Sequence, residues 1–134
     1  MAPNLIQLPV HPDDRGELSV MEFTPALPFI PVRQFVVRNV PPGAVRGRHA
    51  NLRVHELLIC VAGSMVVTLD DGKSKSSTRL DSPNVALHLP SMIWSEQRDF
   101  SPDAVLVVLA SLPYEGGNYI RDYDAYLTAL AAKS

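Results

Sequence analysis

Residues 43–63 constrain the fold of this chain more than any other part of the sequence. They read GAVRGRHANLRVHELLICVAG, with a glycine at each end. The segment 57–61 is continuously apolar, and another apolar segment begins at Val36, so two strands are expected to flank a turn near 52–54. A short turn between two such strands folds the chain back on itself and favours an antiparallel sheet.

Four polar side chains fall on either side of the expected turn. His49 and Asn51 are two residues apart, and because alternate residues of a strand point to the same side, both leave one face of the first strand. The turn then brings either His55 or Glu56 back beside them on the second strand. Which of these two side chains points inward depends on the length of the turn, and the sequence leaves this open.

The remaining sequence predicts several more short strands. Strand-like segments occur at 5–11, 17–23, 33–40, 64–69, 76–80, 84–89 and 104–110. They recur at a spacing of roughly ten residues and are separated by turns rich in Pro, Gly and Asp, which is typical of a closed antiparallel barrel or sandwich. Only residues 121–132 carry apolar side chains at helical spacing. We therefore predict an all-β domain over residues 1–134 with a short C-terminal helix.

Composition and charge argue against several classes of function. The net charge is −2, with neither a basic stripe nor a charge run, so nothing electrostatic favours nucleic acid or an anionic membrane as partner. The first residues lack the features of a signal peptide and no apolar run is long enough to span a bilayer, so we expect a cytoplasmic protein. The single cysteine, Cys60, lies in an apolar strand and is expected to be a buried thiol.

The spacing of residues 43–63 resembles the first signature of the cupin superfamily, G-x5-H-x-H-x(3,4)-E-x6-G, with Asn51 in place of the second histidine. The resemblance implies a small jelly-roll barrel with an interior site. The second signature keeps Pro90 but has Ser95 at the ligand position. Two of the four usual metal ligands are therefore absent, and an open catalytic site needs at least three protein ligands, so we expect no metal and no other cofactor.

A set of short motifs runs through most of the chain. They are D-R-G at 14–16, R-G-x-H-A at 46–50, L-D-D-G at 69–72, L-D-S-P at 80–83, Trp94, D-F-S at 99–101, L-A-S at 109–111 and Y-I-R-D-Y at 119–123. In this order and spacing they resemble the sugar-nucleotide 3,4-ketoisomerases, which convert dTDP-4-keto-6-deoxy-D-glucose to its 3-keto isomer on a jelly-roll cupin. The resemblance implies the same reaction here. The motif at 119–123 is expected to cap the barrel end rather than to touch substrate.

The resemblance also implies roles for the residues around the turn. The family pattern R-G-x-H-A-H supplies two histidines to move the acidic proton on C3, beside the C4 carbonyl group. Here only His49 remains, and we expect it to be the acid/base residue. Asn51 is expected to orient the substrate, since an amide exchanges hydrogen bonds but not protons. His55 is a candidate to take over the role of the missing histidine.

Further residues are candidates for binding the nucleotide. Arg33, Arg46 and Arg48 are assigned to the diphosphate, because guanidinium groups bind phosphate oxygens in bidentate fashion. Trp94 is expected either to pack on the sugar or base or only to close the barrel. Family members are dimers whose N-terminal strands pair with the neighbouring sheet, so a homodimer with exchanged N-terminal strands is expected, in which Arg33 or Met21 reaches the partner's site.

A second interpretation stays open beside the isomerase. The second histidine is missing, and Phe35 to Val37 stand where relatives carry tyrosine. Both departures also fit a catalytically impaired or non-catalytic cupin that binds a sugar nucleotide.

Overall fold

The structure, a computed structural model, describes residues 1–133. Its strands are β1 (Asn4–Gln7), β2 (Val10–Asp13), β3 (Gly16–Ser19), β4 (Arg33–Arg38), β5 (Arg46–Asn51), β6 (Glu56–Ala62), β7 (Met65–Asp70), β8 (Lys75–Leu80), β9 (Val85–Leu89), β10 (Trp94–Arg98), β11 (Val105–Ala110) and β12 (Tyr119–Ile120). A short 3-10 turn at Gly116–Asn118 precedes β12, and helix α1 (Tyr123–Lys133) follows it. The predicted all-β fold with a short C-terminal helix is confirmed.

The strands form two five-stranded antiparallel sheets. The first sheet has the order β1-β9-β6-β11-β4, and the second has the order β12-β5-β10-β7-β8. Because most neighbours within a sheet are distant in sequence, the chain crosses repeatedly from one sheet to the other, as in a jelly roll. Within the described residues, the hairpin of β2 and β3 pairs with neither sheet.

The core lies between the inner faces of the two sheets. Alternate residues point into it, so β6 contributes Leu58 and Cys60, and β11 contributes Leu106 and Val108. The full cluster comprises Val37, Leu58, Cys60, Met65, Val67, Leu69, Leu80, Leu87, Leu89, Ile93, Leu106 and Val108. Burying an aliphatic side chain of this size stabilises the fold by about 1.5–3 kcal/mol relative to exposing it. This layer is therefore the main source of stability, and Cys60 lies in it as a free buried thiol.

Both sheets also have an apolar outer face that another segment covers. On the first sheet, Leu57 and Ile59 pack beneath the N-terminal segment, which includes Met21 and Phe29. On the second sheet, Trp94 packs against the side chains of α1. Each outer face is thus partly covered by packing within the chain.

Helix α1 docks on the second sheet through Tyr126, which is fully buried. Its hydroxyl group lies 2.9 Å from the carbonyl oxygen of Asp70 and 3.0 Å from that of Met92. The helix begins after Asp122, whose carboxylate accepts a hydrogen bond from the backbone N–H of Ala125 at 2.9 Å. No helix in residues 1–133 is both long and apolar enough to cross a bilayer.

Two strands are absent from the sequence-based prediction. The polar run Ser95 to Arg98 resembles a loop, but as β10 it pairs with β5 on one side and β7 on the other. The two residues of β12 pair with the end of β5. At the N-terminus, the expected strand 5–11 is broken at Leu8 and Pro9, and its first part, β1, pairs with β9 of the same chain.

Candidate active site

A cavity of about 200 Å³ lies between the inner faces of the two sheets. Its walls combine an imidazole, a carboxyl group, two guanidinium groups and the rings of one phenylalanine and two tyrosines. The lining residues are Phe35, Val37, Arg46, Gly47, His49, Glu56, Gln97, Tyr114, Tyr119 and Arg121. It is the place in the barrel where acid/base groups and positive charge meet, so we take it as the candidate active site.

His49 projects into this cavity from β5. Its ring packs edge-on against Tyr119, with the ring centroids 4.8 Å apart. Burial lowers the pKa of His49, and the nearby positive charge of Arg121 lowers it further. The imidazole is therefore neutral at neutral pH and able to accept a proton.

A bulge in β5 determines which of its side chains enter the cavity. The pairing of β5 with β10 shifts register between Ser95 and Glu96, and Gly47 and Arg48 both adopt positive φ, at 83° and 56°. Arg46 and His49 are three residues apart, which would put them on opposite faces of a regular strand, yet both line the cavity. The bulge therefore brings this arginine and this histidine together.

Glycine is the residue that fits the bulge at position 47 with least strain. A Cβ atom at Gly47 would lie 3.2 Å from the carbonyl oxygen of Ser95 on β10, in a backbone region that side chains rarely adopt. The glycine of the R-G-x-H motif therefore lets β10 approach β5 beside His49.

Glu56 enters the cavity from β6. The structure thus decides between the two residues after the turn: Glu56 points inward and His55 points to the outer face of the first sheet. Glu56 is only 4% exposed. Burial raises its pKa to about 7, although the charge of Arg33 and a hydrogen bond from Asn51 oppose the change. A carboxyl group in this state exchanges protons near neutral pH.

Asn51 lies beneath the cavity in a fixed chain of amide hydrogen bonds. The Asn118 side-chain oxygen accepts the backbone N–H of Arg53 at 2.9 Å and that of Val54 at 3.3 Å, and its amide nitrogen donates to the Asn51 oxygen at 2.8 Å. The Asn51 amide nitrogen is therefore left to donate to Glu56. Asn51 is 3% exposed, and its predicted role of orienting the substrate stays a prediction.

Arg33 stands beside the cavity on β4. Its guanidinium carbon lies 5.5 Å from the ring centre of Phe35 and 5.8 Å from that of Tyr114, at distances typical of cation–π contacts. Its Nε atom is buried and, within residues 1–133, has no hydrogen-bond partner. A buried donor without a partner is costly, so this nitrogen is a point at which a ligand oxygen would be favourable.

Three of the predicted site residues lie elsewhere. His55 stacks on His88 outside the first sheet, with Nδ1 and Nε2 of the two rings 3.2 Å apart. Arg48 turns to the outer face of the second sheet, where it lies 3.9 Å from Glu96. Trp94 lies on that face too, and its indole N–H donates to Glu96 at 3.2 Å. The cavity brings together His49 and Arg46, with Arg33 and Asn51 adjacent, but not these three residues.

The family model described as FdtA: WxcM-like, C-terminal matches residues 1–131. The chain belongs to this family. A relative from Aneurinibacillus thermoaerophilus, TDP-4-oxo-6-deoxy-alpha-D-glucose-3,4-oxoisomerase, is 38% identical over 119 residues, which cover 89% of this chain and 86% of that protein. The family resemblance seen in the sequence is thus confirmed.

Solved structures support the same assignment. A 3,4-ketoisomerase from Helicobacter canadensis matches with a TM-score of 0.93 at 34% identity, covering 98% of both chains. A histidine-to-asparagine variant of the 3,4-ketoisomerase QdtA from Thermoanaerobacterium thermosaccharolyticum matches with a TM-score of 0.94 at 30% identity. That match covers 98% of this chain and 95% of the other, which was solved with TDP-4-keto-6-deoxyglucose.

In this member of the FdtA family, the residues that line the cavity but were not candidates in the sequence include Tyr114, Tyr119 and Arg121. Tyr119 and Arg121 belong to the motif at 119–123, which is expected only to cap the barrel, and Tyr114 follows the last long strand. The spacing of Tyr119 and Arg121 could have indicated that both enter the cavity, because residues two apart in an extended segment point to the same face. The guanidinium carbon of Arg121 lies 5.0 Å from the centre of the Tyr119 ring.

The side chains at the cupin signature positions do not fit a metal site. Of these positions, only His49 and Glu56 carry ordinary metal donors, since the others hold Asn51 and Ser95. Among residues 1–133, no group of three or more His, Cys, Asp and Glu side chains is placed to hold a metal ion. A catalytic transition metal needs at least three protein ligands, and the side chains at these positions supply only two.

Proposed function

We propose that this protein is a sugar-nucleotide 3,4-ketoisomerase that converts dTDP-4-keto-6-deoxyglucose into the corresponding 3-keto sugar. The observation that carries the proposal is His49, a neutral imidazole facing a cavity that also holds positive charge, on the fold of the ketoisomerase family. The Aneurinibacillus relative is named for the same reaction on the same class of sugar nucleotide.

The chemistry requires one carbon-bound proton to move between neighbouring atoms. The C3 proton is acidic because the C4 carbonyl group accepts the electron pair left by its removal, giving an enediolate. The lowered pKa of His49 keeps the imidazole free to take this proton at neutral pH. Returning the proton to C4, together with the transfer of a second proton from the C3 oxygen to the C4 oxygen, gives the 3-keto isomer.

The arginines supply a site for the diphosphate. Arg46 and Arg121 line the cavity and Arg33 adjoins it, so that three permanent positive charges cluster on a protein of net charge −2. The bulge in β5 supports Arg46 in this role, while the position of Arg48 beside Glu96 argues against that residue.

The chain is also proposed to work as a homodimer. The β2–β3 hairpin pairs with neither sheet of its own chain, and apolar side chains on or near it remain exposed, including Leu18, Phe23 and Ile30. Because β1 pairs with β9 of its own chain, we propose that the segment exchanged between subunits lies after β1. A cytoplasmic location stays a prediction from the sequence.

A non-catalytic sugar-nucleotide-binding protein is the alternative function. Asn51 favours it, because an amide cannot transfer a proton and its hydrogen bonds are directed to Asn118 and Glu56. The alternative keeps the arginine cluster as a binding site but assigns no proton transfer to His49.

Product analysis separates the two functions. The purified protein is incubated with dTDP-4-keto-6-deoxyglucose, and the product is trapped by an aminotransferase that acts at C3 and identified by NMR. We expect a 3-keto product to form without added metal. The rate of its formation should be the same with and without EDTA. The variant His49→Gln should lower kcat by about 10²–10⁴-fold while dTDP still raises its Tm. A wild-type protein that is stabilised by dTDP but forms no product over hours would contradict the proposal.

A further inference from the structure

The isomerisation moves two protons, and His49 accounts for only one. Converting a 4-ketone into a 3-ketone transfers a proton from C3 to C4 and a second proton from the oxygen on C3 to the oxygen on C4. The second transfer needs a group that donates to one oxygen and accepts from the other. Asn51 stands where the family pattern has a second histidine, and an amide cannot perform this step.

Glu56 is a carboxyl group in the same cavity that the mechanism above does not use. It lines the wall with His49 and is almost completely buried. A buried carboxyl group without a function is costly and would normally be replaced by an apolar residue. Its backbone partners across the first sheet are Ala110 and Leu89, and the positive charge of Arg33 on β4 acts on its carboxyl group.

The amide chain holds Glu56 in a defined orientation. The backbone N–H groups of Arg53 and Val54 point to the Asn118 oxygen, and this fixes the Asn118 nitrogen toward Asn51. The Asn51 nitrogen is then directed to Glu56. Asn51 is thus a positioning residue, and the amide that replaces a histidine serves to place a carboxyl group.

We propose that Glu56 is the second acid/base residue of this ketoisomerase and that it carries the proton from the C3 oxygen to the C4 oxygen. The inference rests on the proposed isomerase function. It assigns to Glu56 the chemistry that the missing histidine at position 51 cannot supply.

The protons balance in two steps. In the first, neutral His49 takes the C3 proton as protonated Glu56 gives its proton to the C4 oxygen, forming a neutral enediol, an imidazolium ion and a carboxylate. In the second, the Glu56 carboxylate takes the proton of the C3 hydroxyl group while the imidazolium ion returns its proton to C4. The C3–O double bond forms, the C3–C4 double bond becomes single, and both side chains regain their starting states.

The charges around Glu56 suit this cycle. The titratable and charged groups that face it are Arg33 on β4, Arg46 and His49 on β5, Tyr114 after β11, Tyr119 on β12 and Arg121 after β12. Burial keeps Glu56 partly protonated at neutral pH, with a pKa of about 7, so both the acid and its carboxylate are accessible. The arginines stabilise the carboxylate in the intermediate.

The first test is the substitution Glu56→Gln. Glutamine fills the same space and can donate to the C4 oxygen, but it cannot accept the C3 hydroxyl proton. We expect kcat to fall by about 10²–10⁴-fold, with KM and the dTDP-induced rise in Tm changed less than about threefold. In D₂O, the variant should still exchange the C3 hydrogen for deuterium, because His49 is intact. The ratio of the exchange rate to the rate of product formation should be at least about tenfold larger in the variant than in the wild type.

The second test is rescue. The double variant Glu56→Gln, Asn51→His restores the H-A-H pair of the family pattern, so we expect its kcat to exceed that of the single variant at least about tenfold. Glu115→Gln is the matched control, since Glu115 is an exposed carboxylate paired with Arg53 at 2.7 Å. Its kcat should equal that of the wild type.

The pH profile tests the same claim without any substitution. The kcat/KM of the wild type should fall above about pH 7 as free Glu56 loses its proton, and a profile that stays flat to about pH 9 would overturn the role. Equal turnover by Glu56→Gln and the wild type would also overturn it, with the isomerase function intact. If the wild type itself neither forms a 3-keto product nor exchanges C3 hydrogen, the isomerase function fails, and with it the role of Glu56.

Discussion

At the scale of single residues, the free energy of unfolding depends on Glu56 and His49, the two side chains to which proton transfer is assigned. The Glu56 carboxyl group is buried between the sheets, and its charged form is disfavoured relative to water. His49 is disfavoured in its charged form as well. The folded protein therefore binds protons to these two groups differently from the unfolded chain, and stability varies with pH through each of them.

The substitution Glu56→Gln should stabilise the protein at alkaline pH. The pKa of Glu56 rises from 4.5 in the unfolded chain to about 7 in the folded one, so the folded state holds the proton more tightly. Stability contributed by this group is therefore complete below pH 4.5 and is lost as pH rises through about 7. At about pH 8 the variant should gain on the order of 3 kcal/mol, measured by urea unfolding.

At about pH 4 the same variant should match the wild type, because Glu56 is then largely protonated in both states. A gain that is equal under acidic and alkaline conditions would show that packing, and not ionisation, is responsible.

The substitution Asn118→Asp should move the alkaline limb of the activity profile to higher pH. The new carboxylate still accepts the backbone N–H groups of Arg53 and Val54, but it cannot donate to Asn51. The Asn51 amide should turn to donate to the new carboxylate and present its oxygen to Glu56, which favours the protonated carboxyl group. The kcat/KM of the variant, measured from about pH 6 to pH 9, reports the shift.

The variant Asn118→Ala is the control for this change. It leaves the two backbone donors without a partner and should destabilise the fold by about 1–3 kcal/mol. An unchanged alkaline limb in Asn118→Asp would mean that the amide chain does not act on Glu56.

At the scale of secondary-structure elements, the bulge in β5 has the largest effect on the site. It turns Arg48 outward and allows Arg46 and His49 to share the cavity. The cost is a strand with two residues at positive φ, of which one is not glycine. Strain of this kind persists because β10 pairs with β5 before and after Arg48.

The substitution Gly47→Ala should damage both stability and activity. Its φ of 83° is unfavourable for alanine, and the added Cβ atom would lie 3.2 Å from the Ser95 carbonyl oxygen. We expect a loss of about 1–2 kcal/mol in thermal unfolding and a lower kcat, because His49 is two residues away. Gly117→Ala is the control, as no atom lies within 4 Å of its added Cβ and its φ is not positive.

Strands were predictable from the sequence where their residues are apolar. They were less predictable where a polar segment is a strand only because neighbouring strands pair with it. The apolar strands β4, β6, β7, β9 and β11 follow from composition, while β10 is polar along most of its length and is a strand because of its neighbours. The inward direction of Glu56 depends on the length of the turn before β6, which the sequence leaves open. The outward direction of Arg48 depends on the bulge, for which the sequence offers only Gly47.

The candidate site was therefore predictable in part. His49 and Arg46 belong to a motif that is recognisable in the sequence, and both line the cavity. Tyr119 and Arg121 come from a segment far along the chain, and β12 brings them to β5 through two residue pairs only. Contacts of this kind arise from topology, which local sequence patterns do not report.

At the scale of the whole molecule, the exposed apolar side chains are concentrated toward the N-terminus. Leu18, Phe23, Ile30, Val32 and Val36 are all strongly exposed, from 47% at Ile30 and Val36 to 61% at Leu18 and Val32. They lie on the hairpin, the segment that follows it and β4. Apolar surface of this extent on one part of a small protein usually marks an interface, which supports the proposed homodimer.

The substitution Leu18→Asp should weaken that dimer. Leu18 is 61% exposed on β3, so a charge there costs little in the isolated chain but opposes burial against a second subunit. We expect the wild type to elute as a dimer and the variant to shift toward monomer in size-exclusion chromatography with light scattering. Glu17→Gln, on the adjacent residue, should remain dimeric. A monomeric wild type at micromolar concentration would contradict the proposal.

The buried position of Cys60 makes its thiol a probe for transient separation of the two sheets. Its thiol is fully buried in the core and donates to the Ala62 carbonyl oxygen at 3.1 Å, and burial raises its pKa. A thiol-specific dye can therefore reach it only when the two sheets separate. Since the chain contains one cysteine, the rate of dye incorporation measures how often the barrel opens transiently and exposes this thiol, without any engineered label.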